Sequence, residues 1–281
     1  MVKTLTDVSG NVYTLSYANE DMVVVKFNSA TGVTQSYIYN NISNTNDYPK
    51  DFTYDASGNI YIVGYSYSVG SYGYYATIVK FNAAGTLLWQ VNYLPDYWVY
   101  PTEVSANAIA LDASNNIYFT GAINDSLVVG KINSAGAIQM IKHVTIGGTD
   151  LGAGNDIALD ASGNMYVAGK MQVATNSFDA VAFKLNSSGV VQWTKQITGA
   201  AGGDDISLNI GVDNSSNSYV LSNVADTSTI NYTPYLTKYN ASGAQQFQKK
   251  LHTTSQMNSE AVELIVDNLG NSYSAIYVTM G

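Results

Sequence analysis

The sequence repeats one short pattern six times, and this repetition constrains the fold more than any other feature. Each copy reads Asp-x-x-Gly-Asn, with Asn or Ser replacing Gly in two copies, and a tyrosine-bearing apolar run follows. The copies start 48, 57, 48, 53 and 54 residues apart, at Asp7, Asp55, Asp112, Asp160, Asp213 and Asp267. A period of about 50 residues with strand-like segments in each copy predicts a β-sheet repeat protein.

A second pattern, Lys-apolar-Asn followed by Gly, marks the middle of each copy. It occurs five times, at Lys26, Lys80, Lys131, Lys184 and Lys238. Five copies of this pattern against six of the first predict that the chain ends halfway through a repeat. Because these lysines recur with the repeat, we interpret them as packing groups rather than ligands of a site.

The fourth copy predicts two β-hairpins. Its apolar runs are 157–159, 165–169, 180–185 and 190–197, joined by turn residues, and none has helical spacing. Four antiparallel strands in each copy are typical of a propeller blade. We predict an all-β propeller with six radial blade positions: five four-stranded blades and a two-stranded C-terminal half blade. It forms one domain, 1–281, with blades at about 1–46, 47–103, 104–152, 153–205, 206–257 and 258–281.

The linkers point to a repeat family. Gly147-Gly148-Thr149-Asp150 and Gly202-Gly203-Asp204-Asp205 precede later copies, and the run from Asn155 to Gly169 joins two strands through the Asp turn. The chain resembles the SBBP-type bacterial β-propeller repeat over almost its whole length. The first copy lacks the Gly-Gly linker, and the last two lose a Gly after the second strand. The resemblance implies an extracellular or surface-displayed propeller and brings no catalytic residues.

Composition excludes several classes of function. The net charge is −9, and all twelve basic residues are lysine. Without arginine, and with an acidic surface, the chain is not expected to bind nucleic acid. There is no cysteine, hence no disulfide or thiolate site. No apolar run reaches the length of a membrane span, so no membrane insertion is expected.

Two tyrosine-rich segments form the main candidate site. We expect residues 65–75 to connect the second and third strands of the second blade, and residues 93–101 to lead into the third blade. Both connections would emerge on one face, where long loops commonly carry binding residues. The alternative is that the rings pack on one another to hold the loops. The candidate ligand-binding residues are Tyr65, Tyr67, Tyr72, Tyr74, Tyr75, Tyr93, Tyr97, Trp98 and Tyr100.

A second candidate site lies at the start of the innermost strands. Asp51, Asp156 and Glu263 stand four residues before a repeated turn aspartate, so their carboxylates could ring a channel mouth and bind Ca²⁺. The alternative is that water solvates them. The turn aspartates themselves suit Asx turns better than calcium loops, because each turn offers one carboxylate.

These patterns predict a non-enzymatic binding and display module: a virion appendage or cell-surface adhesin that contacts glycan or protein through the long-loop face. The alternatives are a structural protein assembled through the half blade, or a propeller enzyme of the lyase or hydrolase class. His143 and His252 occupy different offsets and suggest no shared chemistry. The last strand, 272–278, should be an unpaired edge that a neighbouring chain or partner covers.

Overall fold

The structure is a computed structural model that describes residues 2–40, 45–68, 73–94, 104–146, 151–174, 177–199, 203–225, 232–251 and 257–280. Within these ranges the regular elements are 22 β-strands. They form antiparallel sheets, five of four strands and one of two. The all-β prediction is therefore confirmed. No helix in the described ranges is long and apolar enough to cross a membrane.

The strands follow the chain in six consecutive groups, and each group pairs in chain order. The first sheet contains β1 (Lys3–Thr6), β2 (Val12–Ala18), β3 (Asp21–Phe27) and β4 (Thr34–Tyr39). The second contains β5 (Asp47–Tyr54), β6 (Ile60–Ser68), β7 (Gly73–Phe81) and β8 (Leu87–Tyr93). The third contains β9 (Val104–Leu111), β10 (Ile117–Ile123), β11 (Ser126–Ile132) and β12 (Ile138–His143).

The remaining sheets repeat this order. The fourth contains β13 (Gly152–Leu159), β14 (Met165–Ala174), β15 (Ser177–Leu185) and β16 (Val191–Ile197). The fifth contains β17 (Ile206–Val212), β18 (Ser218–Ala225), β19 (Tyr232–Tyr239) and β20 (Gln245–Lys250). The sixth contains β21 (Met257–Val266) and β22 (Ser272–Met280).

The chain divides into two compact units. Unit 1 comprises Met1–Asp125 and Gly130–Gln139, and unit 2 comprises Ser126–Val129 and Met140–Gly281. Each unit has an apolar core between successive sheets. In unit 1 this core includes Leu15, Met22 and Phe52. In unit 2 it includes Tyr166 and Val220.

Each repeated aspartate closes the turn between the first two strands of its sheet. Asp160 shows the arrangement: Oδ1 accepts hydrogen bonds from the backbone N–H groups of Ser162 and Asn164, both at 3.0 Å. Oδ2 accepts from Asn164 Nδ2 at 2.8 Å and from the Tyr166 hydroxyl at 3.1 Å. Gly163 has φ +74°, which favours glycine. The carboxylate is thus a turn-forming acceptor, as the sequence predicted.

Each repeated lysine packs over the tyrosine of the preceding strand. The register places Lys184 opposite Tyr166, and the Lys184 Nζ lies 4.9 Å from the ring centroid. The same pairing joins Lys238 to Tyr219, at 4.7 Å. Equivalent cation–π contacts occur in the first three sheets. The interpretation of these lysines as packing groups is confirmed.

Contacts to the next sheet use the same residues. Within unit 2, Lys184 Nζ donates to the Ala241 carbonyl at 3.1 Å, and Trp193 Nε1 donates to the same oxygen at 3.4 Å. The Tyr166 hydroxyl lies 3.2 Å from the Ser216 carbonyl. The second sheet contacts the third in the same way, because Lys80 Nζ and Trp89 Nε1 both donate to the Ser134 carbonyl at 3.3 Å.

The predicted connection at 65–75 is largely strand. Strands β6 and β7 pair out to Tyr67 with Tyr74 and Ser68 with Gly73. Tyrosine alternates with serine over 65–68, and this period of two with a β-favouring aromatic is a strand pattern. The long-loop prediction for this segment is wrong, because Ser66, Ser68 and Gly73 lie in paired strands and do not interrupt them.

Candidate functional site

Five tyrosines from four strands form one aromatic cluster in unit 1. Tyr17 stacks on Tyr48 with ring centroids 5.1 Å apart, and Tyr48 stacks on Tyr65 at 4.8 Å. Tyr74 meets Tyr65 and Tyr67 edge to face, at 5.4 and 5.3 Å. Such contacts add to the stabilisation from buried area. We call these five residues the tyrosine cluster.

The structure describes five of the nine aromatic residues proposed from the sequence. Tyr65, Tyr67 and Tyr74 belong to the tyrosine cluster. Tyr75 lies on β7, and burial followed by the Asp47 charge raises the pKa of its phenol. Tyr93 ends β8, where it pairs with Ala76. The remaining four lie outside the described residues: Tyr72, Tyr97, Trp98 and Tyr100.

An open pocket of about 360 Å³ adjoins the tyrosine cluster. Its lining residues are Glu20, Thr45, Asn46, Tyr67 and Tyr74. Hydrogen bonds hold this wall in place. Thr45 Oγ1 donates to the Tyr67 carbonyl at 2.5 Å, and Tyr67 N–H donates to the Asn46 carbonyl at 3.1 Å. We call this cavity the Glu20 pocket.

Glu20 is held in an unusual backbone conformation. It is the second residue of the two-residue turn between β2 and β3, with φ 71° after Asn19 at φ 53°. Such turns prefer glycine at this position, because a side chain in the left-handed region costs about 1 kcal/mol. Among the described non-glycine residues with positive φ, the others are Asn, Asp or Ser. The Glu20 carbonyl accepts from Asp47 N–H at 2.7 Å, which fixes the turn.

The surroundings of Glu20 are acidic. Burial raises the pKa of Asp21, and the Glu20 charge raises it further. Burial also raises the pKa of Tyr17, with smaller contributions from Tyr48, Glu20 and Asp21. A site with this charge favours uncharged or cationic molecules over anions.

Sequence reasoning missed Glu20, Tyr17 and Tyr48. The available signal was the Asn19-Glu20 pair between two alternating strands, which predicts a tight hairpin turn with an unsuitable residue at its second position. Nothing in the sequence shows that this turn meets residues 45 and 46, which follow in the next repeat.

Asp51 connects three strands. Its Oδ1 lies 2.6 Å from Lys3 Nζ and accepts from its neighbour Phe52 N–H at 2.8 Å, while Oδ2 accepts from Ile109 N–H at 3.1 Å. Burial raises the pKa of Asp51, and the Lys3 ammonium opposes this rise. Both oxygens are engaged, one of them with a cation, so the side chain does not suit a calcium ion.

Asp156 has the same position in its sheet and similar contacts. Its oxygens accept from the N–H groups of Ile157 and Ile210, each at 2.8 Å. Glu263 is an exposed residue of β21. Within the described ranges there is no group of three or more His, Cys, Asp or Glu side chains that could hold an ion. Asp51 and Asp156 connect neighbouring sheets, and the predicted Ca²⁺ site receives no support from this geometry.

Comparisons with known proteins show no family for this chain. No family model and no curated protein matches the chain. A solved structure named for gluconolactonase activity is 13% identical with a TM-score of 0.46, covering 89% of this chain and 75% of its own. A protein of unknown function from Bacteroides caccae is 8% identical with a TM-score of 0.48, covering 85% and 93%. A luciferin-regenerating enzyme is 12% identical with a TM-score of 0.45, covering 79% and 68%.

These comparisons contradict the predicted non-enzymatic display module on a virion or cell surface. The solved structures that match the chain include two named as enzymes. At identities of 8–13% these structures assign no residue of this chain to a reaction. The extracellular location and the SBBP-type resemblance stay predictions.

Proposed function

We propose that the protein is an enzyme of the β-propeller class, a hydrolase or a lyase, whose substrate binds in the Glu20 pocket. In this proposal the six sheets are blades at six radial positions, five complete and one of two strands. The observation that carries it is a glutamate with strained backbone at the edge of a tyrosine-walled cavity. Backbone strain that the surrounding structure enforces is common at functional sites.

The lining supplies one base and two weak acids. In hydrolysis, the Glu20 carboxylate takes a proton from water as the water oxygen attacks the substrate carbonyl. The phenol of Tyr67 or Tyr74 gives its proton to the leaving oxygen. In elimination, Glu20 takes the proton next to a carbonyl, a C=C bond forms, and the phenol protonates the departing oxygen. Acid–base catalysis of this kind contributes about 10²- to 10⁴-fold.

The same lining narrows the substrate class. Its described residues include one carboxylate, whereas most glycoside hydrolases use a pair that flanks the bond. Ester or lactone hydrolysis and β-elimination each need one base. The size of the pocket suits a small molecule, and the charges of Glu20 and Asp21 disfavour an anionic one. The Asn46 side-chain amide, whose Nδ2 also donates to the Tyr48 hydroxyl at 2.9 Å, can hydrogen-bond a substrate oxygen.

The test is a turnover assay on the full chain with small chromogenic esters in uncharged, cationic and anionic forms, and with eliminable analogues. Glu20→Gln keeps the shape but removes the base, and should lower kcat/KM about 100-fold or more. Glu260→Gln, an exposed glutamate of β21, is the matched control and should change little. Three results would contradict the proposal: turnover that survives Glu20→Gln, a preference for anionic esters, or no turnover of any compound tested.

A further inference from the structure

The Glu20 pocket places aromatic rings beside a negative charge. Its described lining includes Tyr67 and Tyr74, whose ring centroids are 5.3 Å apart and whose planes are inclined by 64°. A molecule in the pocket therefore meets two ring surfaces set at an angle to each other. Tyr74 is 39% exposed, so a ligand can reach its ring. The faces of such rings attract cations.

The charges at the pocket have one sign. Glu20 lines the cavity and is exposed, Asp21 follows it in the chain, and the described lining contains no basic residue. Burial raises the pKa of Asp21, and the Glu20 charge raises it further, so the two carboxylates repel each other. A cation in the pocket relieves this repulsion, whereas an anion adds to it.

The lysines of the chain show how its tyrosine rings hold an ammonium group. Across the described ranges, lysine Nζ atoms lie 4.7–5.5 Å from tyrosine ring centroids. Lys50 makes this contact within the tyrosine cluster, over Tyr65, which is not among the described lining residues. In the described part of the chain no lysine lies over the Tyr74 ring. Its exposed surface is thus available to a cation that the chain does not supply.

The lining suits an organic cation better than a metal ion. Ca²⁺ takes about six to eight oxygen ligands. The described lining offers one carboxylate, and the described ranges hold no group of three or more His, Cys, Asp or Glu side chains that could bind an ion. An alkylammonium ion has a lower requirement, because its alkyl groups contact the rings while its charge is attracted by the carboxylates. The pocket volume of about 360 Å³ is typical of a small-molecule site.

We infer that the Glu20 pocket binds an alkylammonium ion, whose cationic head contacts the rings of Tyr67 and Tyr74 and is attracted by the charges of Glu20 and Asp21. The inference rests on the proposed function for the location of the substrate, and it adds the chemical group by which the substrate is recognised. The attraction acts through space without direct contact, so the Glu20 oxygens stay available for proton transfer. The substrate class is then an ester, or an eliminable compound, that carries an ammonium group.

The test measures binding separately from turnover. Choline and 3,3-dimethylbutan-1-ol have the same shape, but only choline carries a positive charge. Isothermal titration calorimetry on the full chain should give a Kd for choline about tenfold or more below that for the alcohol. Glu20→Gln should raise the Kd for choline about fivefold and leave the Kd for the alcohol unchanged.

Two substitutions at Tyr74 test the contribution of the ring. Tyr74→Leu removes the ring and should weaken choline binding about fivefold. Tyr74→Phe keeps the ring and should bind choline within about twofold of the natural chain, even where turnover falls, because the phenol is not needed for this contact. Glu260→Gln is the control and should leave both Kd values unchanged.

Three results would overturn the inference: equal affinity for the two probes, no detectable binding of choline, or choline binding that Glu20→Gln and Tyr74→Leu both leave unchanged. Each is distinguishable from failure of the proposed function. Choline binding without turnover of any ester would contradict the enzyme and leave the cation site. Ester turnover with equal affinity for the two probes would contradict the cation site and leave the enzyme.

Discussion

At the scale of single residues, two side chains of similar charge have opposite effects on the fold. Asp160 accepts several hydrogen bonds within its own turn and one from Ser216 Oγ at 3.2 Å. Glu20 occupies a backbone conformation that its side chain disfavours. Asp160 therefore stabilises its turn, whereas the backbone conformation of Glu20 gives no gain in stability that would explain a glutamate at this position.

Glu20→Gly should raise the free energy of unfolding by about 1 kcal/mol, because glycine adopts the left-handed region without a steric penalty. Urea unfolding measures this change. The same variant should lose the activity proposed for the pocket, since the base is removed. Asp125→Gly, in the corresponding turn of the third sheet at φ 60°, is the control and should change stability without affecting activity. Loss of stability in Glu20→Gly would show that the glutamate supports the turn.

Asp160→Ala should lower the free energy of unfolding by about 2–3 kcal/mol, because it leaves several donors in and around the turn without their acceptor. Chemical denaturation of the purified variants provides the measurement. Asp267→Ala is the comparison: the same turn in the sixth sheet is exposed, so water can replace the lost acceptor. Equal effects at the two positions would mean that the turn alone, and not its packing, sets the stability.

At the scale of elements, the turn between the third and fourth strands of the fifth sheet packs against the fourth sheet. Gly243 has φ +83°, and a Cβ there would lie 2.7 Å from Trp193 Cγ. Gly32 has a similar φ of +69°, but a Cβ there would meet nothing within 4 Å. Alanine substitutions at these two positions therefore distinguish the cost of backbone strain from the cost of a steric clash.

Gly32→Ala should therefore cost about 1 kcal/mol from the backbone alone. Gly243→Ala should cost about 2–4 kcal/mol, since Trp193 is buried and must shift. Thermal unfolding compares the pair. If both variants lose the same stability, contact between the turn and the tryptophan contributes nothing.

The sequence predicted the strand content, the turn chemistry and the two-stranded last sheet, because each depends on residues close together in the chain. It failed at the Glu20 pocket for the opposite reason. Residues 20, 45, 67 and 74 come from separate strands and connections, and no local pattern brings them together. The segment at 65–75 was misassigned because glycine and serine suit loops and hairpin ends equally well.

At the scale of the whole molecule, carboxyl groups of two kinds set the response to acid. Burial tends to raise the pKa of Asp160, but the hydrogen bond from Asn164 and further hydrogen bonds lower it below its ordinary value of 3.8. The pKa values of the other turn aspartates are lowered as well. For Asp7 and Asp267 the largest cause is the hydrogen bond from the side chain of the turn asparagine. Burial instead raises the pKa values of Asp21, Asp51 and Asp205.

These shifts predict a stability maximum close to pH 4. The aspartates with lowered pKa values stabilise the fold at pH values above the pKa of the unfolded chain. This contribution is lost as the pH falls through the pKa values that they have in the folded protein. The aspartates with raised pKa values act in the opposite sense. Their contribution to stability is lost as the pH rises from 3.8 through the pKa values that they have in the folded protein. Urea midpoints measured across the acidic range should show both slopes. A midpoint that rises steadily to neutral pH would contradict the assignment of the buried carboxyls.

The shared lysine–tyrosine contact also bears on how such a chain can change length. In the second and fourth sheets a lysine and a tryptophan both donate to one carbonyl in a turn of the next sheet, so a duplicated copy of such a module would offer the same donors to the same acceptor. Unequal recombination can thus add or delete modules without compensating substitutions. The number of modules is consequently easier to alter in evolution, or in the laboratory, than the contents of any one of them.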